Sequence, residues 1–211
     1  MTVGIPLLAW QRPEITEQCL KSVRDSVPKW IDLSIYYTIS KEDPFYSDLK
    51  KLGKYADYCF EFDNYPVSEK LNYTVAQMKG YDFLMNLGSD DIVTAGMWEQ
   101  YKPLFSEYYV FGYKDFYFSH SGNMYYTEVA SVAGAGRMID WECVDKLDKF
   151  VSSERNMGLD FDTMTQLNNM NYEEYAMNQR GVCIYGIKSE VGIHSLKDYD
   201  TKKVCDKKIL S

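Results

Sequence analysis

The sequence has only two histidines, and its five cysteines (Cys19, Cys59, Cys143, Cys183 and Cys205) include no Cys-x-x-Cys pair. An odd number at irregular spacing suggests neither a disulfide framework nor a thiolate zinc site, which leaves buried reduced thiols as the expectation. No apolar run is long enough to cross a bilayer, and the opening MTVGIPLLAWQRP lacks the basic flank, long apolar stretch and cleavage site of a signal peptide. A cytoplasmic protein is therefore expected. Positive charge is also short: 23 Lys and Arg against 31 Asp and Glu give a net charge of -8. That balance argues against a broad grip on a nucleic-acid backbone. The exception is the tail, where Lys202, Lys203, Lys207 and Lys208 read as a solvated terminus, with contact to an anionic acceptor or membrane as the alternative. No internal repeat, low-complexity tract or Gly/Ser linker divides the chain.

What is present is enough apolar material, 45% hydrophobic and 16% aromatic over 211 residues, to fill the core of one α/β domain. Thr2 to Leu8 is an apolar run, and Ile15, Cys19, Leu20, Val23 and Val27 then recur at helical spacing. Leu33 to Ile39 is β-branched and aromatic, and Asp57 to Phe62 is a shorter strand candidate. From Ser68, Leu71, Val75 and Met78 share a helical face that Gly80 ends, and Tyr81 to Leu87 is a buried strand. Alternating strands and helices predict a mainly parallel sheet with its ligands beyond the strands' carboxyl ends. The texture then changes. Tyr108 to Tyr126 carries nine aromatics around a turn at Ser119–Asn123, which predicts a hairpin. Asp140 is placed to cap a helix through Val144 and Leu147, Asp160 to Met170 forms another, and Val182 to Ile187 is a late strand.

Gly88-Ser89-Asp90-Asp91 follows the Tyr81–Leu87 strand, so two carboxylates stand where such a sheet keeps its ligands. Carboxylates there suit a hard divalent ion that bridges to a diphosphate; capping of the next turn explains them equally well. Lys70, near a helix N-terminus, opposes the macrodipole unless an anion lies nearby, which favours a phosphate or ribose neighbour. Arg137 follows two glycines and could clamp phosphate or sugar hydroxyls, or sit as a surface Arg after a tight turn.

VGIPLLAWQRPEITEQCLKSV followed by KLNYTVAQMKGYDFLMNLGSDDI resembles the opening half of a GT-A glycosyltransferase of the large family-2-like group. The resemblance extends over residues 1 to 195. It implies a single GT-A (Rossmann-like) domain, with a mainly parallel central sheet, helices on both faces and a smaller antiparallel hairpin region on the acceptor side. Residues 1–95 would form the nucleotide-sugar half, 96–195 the acceptor half and 196–211 a tail. Pro6 and Arg12 correspond to the segment lining the nucleobase, and Asp63 to an acid near the base, although a turn-forming Asp-Asn pair fits that site too. Lys70 and Asn72 match the helix of the Lys-x-Asn type.

At the metal motif, Gly88 stands where an Asp-x-Asp pattern puts its first acid, leaving Ser89, Asp90 and Asp91. The resemblance gives a divalent metal, Mn or Mg, to Asp90 and Asp91, with His194 as third ligand. Gly158-Leu159-Asp160-Phe161-Asp162 resembles the helix-opening Glu-Asp motif of inverting members, with Leu159 replacing Glu, Asp160 as catalytic base and Asp162 as reserve. The implied reaction moves a hexosyl or pentosyl group from a nucleotide-sugar, a UDP-sugar first, onto a hydroxyl, with inversion; a retaining outcome stays open. The acceptor would be a glycan or a hydroxymethylated DNA base of the phage type. Two rivals remain: a nucleotide-sugar-binding protein that has lost catalysis, suggested by Gly88 and Leu159, and a nucleotidyltransferase, disfavoured because GIPLLAWQRP is no Gly-rich phosphate loop. Oligomeric state leaves no signature in the sequence.

Overall fold

The computed structural model describes residues 1–129 and 131–188 and the backbone of 202–203. Its elements in order are β1 (Thr2–Leu8), α1 (Pro13–Ser26), β2 (Asp32–Ile39), α2 (Tyr46–Lys51), β3 (Tyr58–Glu61), α3 (Val67–Ala76), β4 (Phe83–Met85), β5 (Asp91–Val93) and α4 (Ala95–Tyr101). These are followed by β6 (Val110–Tyr113), β7 (Asp115–His120), β8 (Asn123–Glu128), β9 (Met138–Asp140), α5 (Trp141–Asp145), α6 (Leu159–Asn169), β10 (Glu174–Met177), β11 (Ile184–Ile187) and β12 (Lys202–Lys203). A seven-stranded sheet has the order β10-β6-β9-β4-β1-β2-β3. Only β9 runs against the rest, antiparallel to both β4 and β6. The carboxyl ends of β1, β2, β3 and β4 therefore share one edge.

Alternation along the central strands sorts the core into two layers. Phe83 and Met85 join Ile5, Leu7, Ile35 and Tyr37 beneath α1 and α4, whose Leu20, Val23 and Trp98 are buried there. Leu84 and Tyr36 face the other way, against Leu71 and Val75 of α3 and Met164 and Leu167 of α6. Helices cover both faces, which is why β1 and β4 read as unbroken apolar runs. The α1 helix opens on Pro13, whose missing N–H costs nothing in a first turn. The α5 helix opens on Asp140, whose side chain accepts the Glu142 N–H.

A second sheet, in the order β12-β8-β7-β11-β5, stands beside the first. Its β7–β8 hairpin turns through Ser121 and Gly122, both at positive φ (49° and 74°), the geometry that matches strand twist in a two-residue turn. The hairpin is shorter than the aromatic run that signals it, because Val110–Tyr113 forms β6 in the large sheet. Three short elements carry no helical or strand period of their own: α2, β5 and β9. The helix expected through Leu147 stops at Asp145.

Candidate active site

A cleft of about 470 Å³ opens over the shared carboxyl edge. Its floor is Asn86 to Asp91, with Pro6, Leu8 and Arg12 from the end of β1 on one side and Lys188, just past β11, with Phe118 on the other. Residues 131–135 with Arg137 and residues 156–161 form the far walls.

The floor is a tight turn. The Asp91 N–H reaches the Gly88 carbonyl at 3.2 Å, while Asp91 Oδ2 accepts the Gly88 N–H at 2.7 Å. Asp91 also begins β5, opposite Gly186 of β11. Burial, reinforced by the neighbouring charge of Asp90, pushes the Asp91 carboxyl well up and favours its neutral form. Asp90 faces Arg12 Nη1 at 3.0 Å and Lys188 Nζ at 3.5 Å. Burial opposes its charge, but the two cations outweigh that and hold its carboxyl below the usual range. The Ile187 N–H donates to the Asp90 carbonyl at 2.7 Å, so β11 and the turn are fastened together.

The far walls are joined by one guanidinium. Arg137 is buried; its Nη1 donates to the Asp160 carbonyl at 3.1 Å and its Nη2 to the Val132 carbonyl. The strand end carries both walls, since the Asn86 N–H donates to the Arg137 carbonyl and the Gly136 N–H to the Asn86 carbonyl, each at 2.8 Å. Asp160 stands in the first turn of α6 with its carboxylate against Gly134, where an added Cβ would lie 2.5 Å from Asp160 Oδ2. Gly134→Ala must therefore turn the Asp160 carboxylate aside.

Two structures of S. aureus TarS 1-349 superpose on the chain at 12% sequence identity. One has a TM-score of 0.67 and covers 89% of this chain and 60% of that one. The other, in complex with UDP-GlcNAc, has a TM-score of 0.63 and covers 91% and 60%. The mannosyltransferase PcManGT from Pyrobaculum calidifontis, in complex with GDP-Man and Mn2+, matches with a TM-score of 0.65 at 11% identity over 88% and 56%. The chain has the GT-A fold. It spans about three fifths of the length of these GT-A structures. No protein-family model and no curated protein matches the sequence.

Within this GT-A frame, Pro6, Arg12, Ser89, Asp90, Asp91, Arg137 and Asp160 all line the one cleft. Four other expected contacts lie outside its wall, and each position has a physical reason. Lys70 is fully buried, and its ammonium donates to Ala9 O (3.0 Å), Ser40 Oγ (2.9 Å) and Asn64 Oδ1 (3.2 Å). It braces the loops that follow three strands. Asn72 is occupied on both sides of its amide, by Val151 O at 2.9 Å and the Val151 N–H at 2.8 Å. Asp162 accepts from the Ser152 N–H at 2.6 Å and from the hydroxyls of Ser152 and Ser153, and pairs with Arg155 at 3.2 Å. It ties residues 152–155 to α6. Asp63 is exposed, past the end of β3. His194 lies outside the described residues.

The cleft adds residues that the sequence reading missed. Lys188 is one, and the position directly after a late strand was its only signal. Phe161 and Met157 are others: apolar, strongly exposed at 72% and 53%, and still part of the cleft wall.

Proposed function

We propose that this chain transfers a sugar from a nucleoside diphosphate sugar, a UDP-sugar first, to a hydroxyl of a glycan acceptor with inversion. The observation that carries the reading is the meeting of an acid–cation cluster (Arg12, Asp90, Lys188) and a separate carboxylate (Asp160) in one cleft of a GT-A fold. The structures in complex with UDP-GlcNAc and GDP-Man support a nucleotide-sugar as the ligand class.

The nucleotide would lie over the ends of β1 and β4, with its diphosphate toward Arg12 and Lys188. Asp160 takes the proton of the acceptor hydroxyl as that oxygen bonds to the anomeric carbon. The bond from that carbon to the diphosphate breaks, and the departing nucleoside diphosphate carries its charge into the cationic side of the cleft. Phe161 and Met157 offer an apolar rim of the kind a sugar ring packs against. The net charge of -8 favours a glycan over DNA as acceptor.

The GT-A resemblance implies a divalent ion on Asp90, Asp91 and His194, and the described residues do not fit one. Asp91 Oδ2 is held by a backbone N–H, Asp90 is held by two cations, and no three His, Cys, Asp or Glu side chains among the described residues are grouped to hold a metal. No step above is routed through an ion.

Incubation with UDP-glucose, UDP-galactose, UDP-GlcNAc and GDP-mannose, in buffers with and without Mn2+, should release free nucleoside diphosphate from at least one donor. NMR of the transferred sugar should show an inverted anomeric configuration. A panel that gives no release in either buffer would sink the transferase reading.

A further inference from the structure

Resting on that nucleotide-sugar reading, we infer that Arg12 and Lys188 hold the donor diphosphate directly, so that nucleotide binding does not depend on a divalent ion. The site is already neutralised from within. Asp90 Oδ2 has Arg12 Nη1 at 3.0 Å and Lys188 Nζ at 3.5 Å. An ion ligated to that oxygen at about 2.1 Å would lie no more than about 6 Å from either nitrogen, in a poorly solvated cleft where like charges repel strongly. An ion on that oxygen would have to displace both cations.

The floor is also crowded where a further carboxylate would stand. Gly88 stands where the resemblance puts a first acid, and a Cβ there would lie 2.9 Å from Asp91 Oδ2 and 3.0 Å from Asp90 Oδ1. A longer acidic side chain would crowd a third carboxyl group against Asp90 and Asp91. The chain keeps a glycine at that position and supplies positive charge from two side chains instead.

Both cations sit on fixed backbone. Arg12 follows Gln11, which is at φ 60° with its N–H donated to Asp43 Oδ2 at 2.8 Å. The Lys188 N–H donates to Ser119 O at 2.9 Å, His120 Nδ1 lies 3.0 Å from the Lys188 carbonyl oxygen, and its ammonium sits 5.0 Å from the Phe118 ring centre. A guanidinium fork and a point-charge ammonium together suit the adjacent oxygens of a diphosphate. Asp90 then acts as a placeholder, pairing the cations until phosphate oxygens replace it.

Calorimetric titration of the full chain with UDP and with GDP, in EDTA and in Mn2+, tests this. The wild-type dissociation constant for the nucleotide that binds should agree within threefold between the two buffers. Arg12→Gln and Lys188→Gln should each weaken it at least tenfold in both. Asp90→Asn, which releases the cations, should tighten binding at least threefold in EDTA. Tenfold weakening of the wild type by EDTA, or loss of binding in Asp90→Asn with Mn2+ present, would overturn the inference while leaving the nucleotide-sugar reading standing. Absence of UDP and GDP binding in both buffers would remove that reading and this inference with it. Should the glutamine variants not fold by circular dichroism, the wild-type comparison alone decides.

Discussion

Replacing Asp160 by Asn is expected to lower sugar transfer about 10²- to 10⁴-fold, the usual contribution of a positioned general base. The near-identical shape of Asn keeps the contact with Gly134, and the hydrogen bond from Arg137 goes to the Asp160 main-chain carbonyl, which the substitution leaves in place. Nucleotide affinity should stay within twofold, because Arg12 and Lys188, the cations proposed to hold the diphosphate, belong to a different wall. Single-turnover assays with saturating donor isolate the step. A variant that retains half of the wild-type rate would remove Asp160 from the chemistry and return attention to another group in the cleft.

Replacing Lys70 by Met is expected to cost about 1–3 kcal/mol of stability at neutral pH, since carbonyl, hydroxyl and amide acceptors from three loops lose their donor in a buried site. The cost should depend on pH in a definite direction. Burial pulls the Lys70 ammonium down to about 8, against the opposing pull of Glu42 and Asp43. Between that value and the ordinary one near 10.5, the unfolded chain carries a proton that the folded chain has lost, so stability at this position rises with pH. At about 1.4 kcal/mol per pH unit of separation, the gap between wild type and Lys70→Met should widen by about 3 kcal/mol from pH 8 to 10.5. Urea unfolding at intervals across that range measures it. A constant gap would mean that Lys70 titrates as an exposed lysine does.

Lys70 shows where sequence reasoning stops. Its position near the start of α3 is legible, but its acceptors come from Ala9, Ser40 and Asn64, on three other segments. A cation there opposes the helix dipole unless something electronegative lies nearby; that its partners are carbonyl and hydroxyl oxygens of the protein is visible only in the tertiary structure. The main elements were legible because burial on both faces makes β1 and the Tyr81–Leu87 segment around β4 largely apolar, and because α1 repeats its apolar positions over three turns. Strands of three residues such as β5 and β9 have no period to read, being set by their neighbours in the sheet.

The same limit separates Asp160 from Asp162. Two residues apart on α6, they project about 200° from each other, so one can face the cleft only if the other turns away. The sequence supplies both acids but not the phase of the helix. The pairing of Asp90 with Lys188 was out of reach for a similar reason, since 98 positions separate them and antiparallel pairing of β5 with β11 brings them together.

Arg137 has a consequence for how the cleft can be altered. By donating to Val132 and to Asp160 at once, it couples residues 131–136 and 156–161 mechanically: a displacement of either wall is passed to the other through one rigid, planar group. Substitutions on the two walls will then show strong epistasis, with the second change felt on a background the first has already moved. Changes to the shape of this cleft are therefore expected to be tolerated better as paired replacements across the guanidinium than on one wall alone.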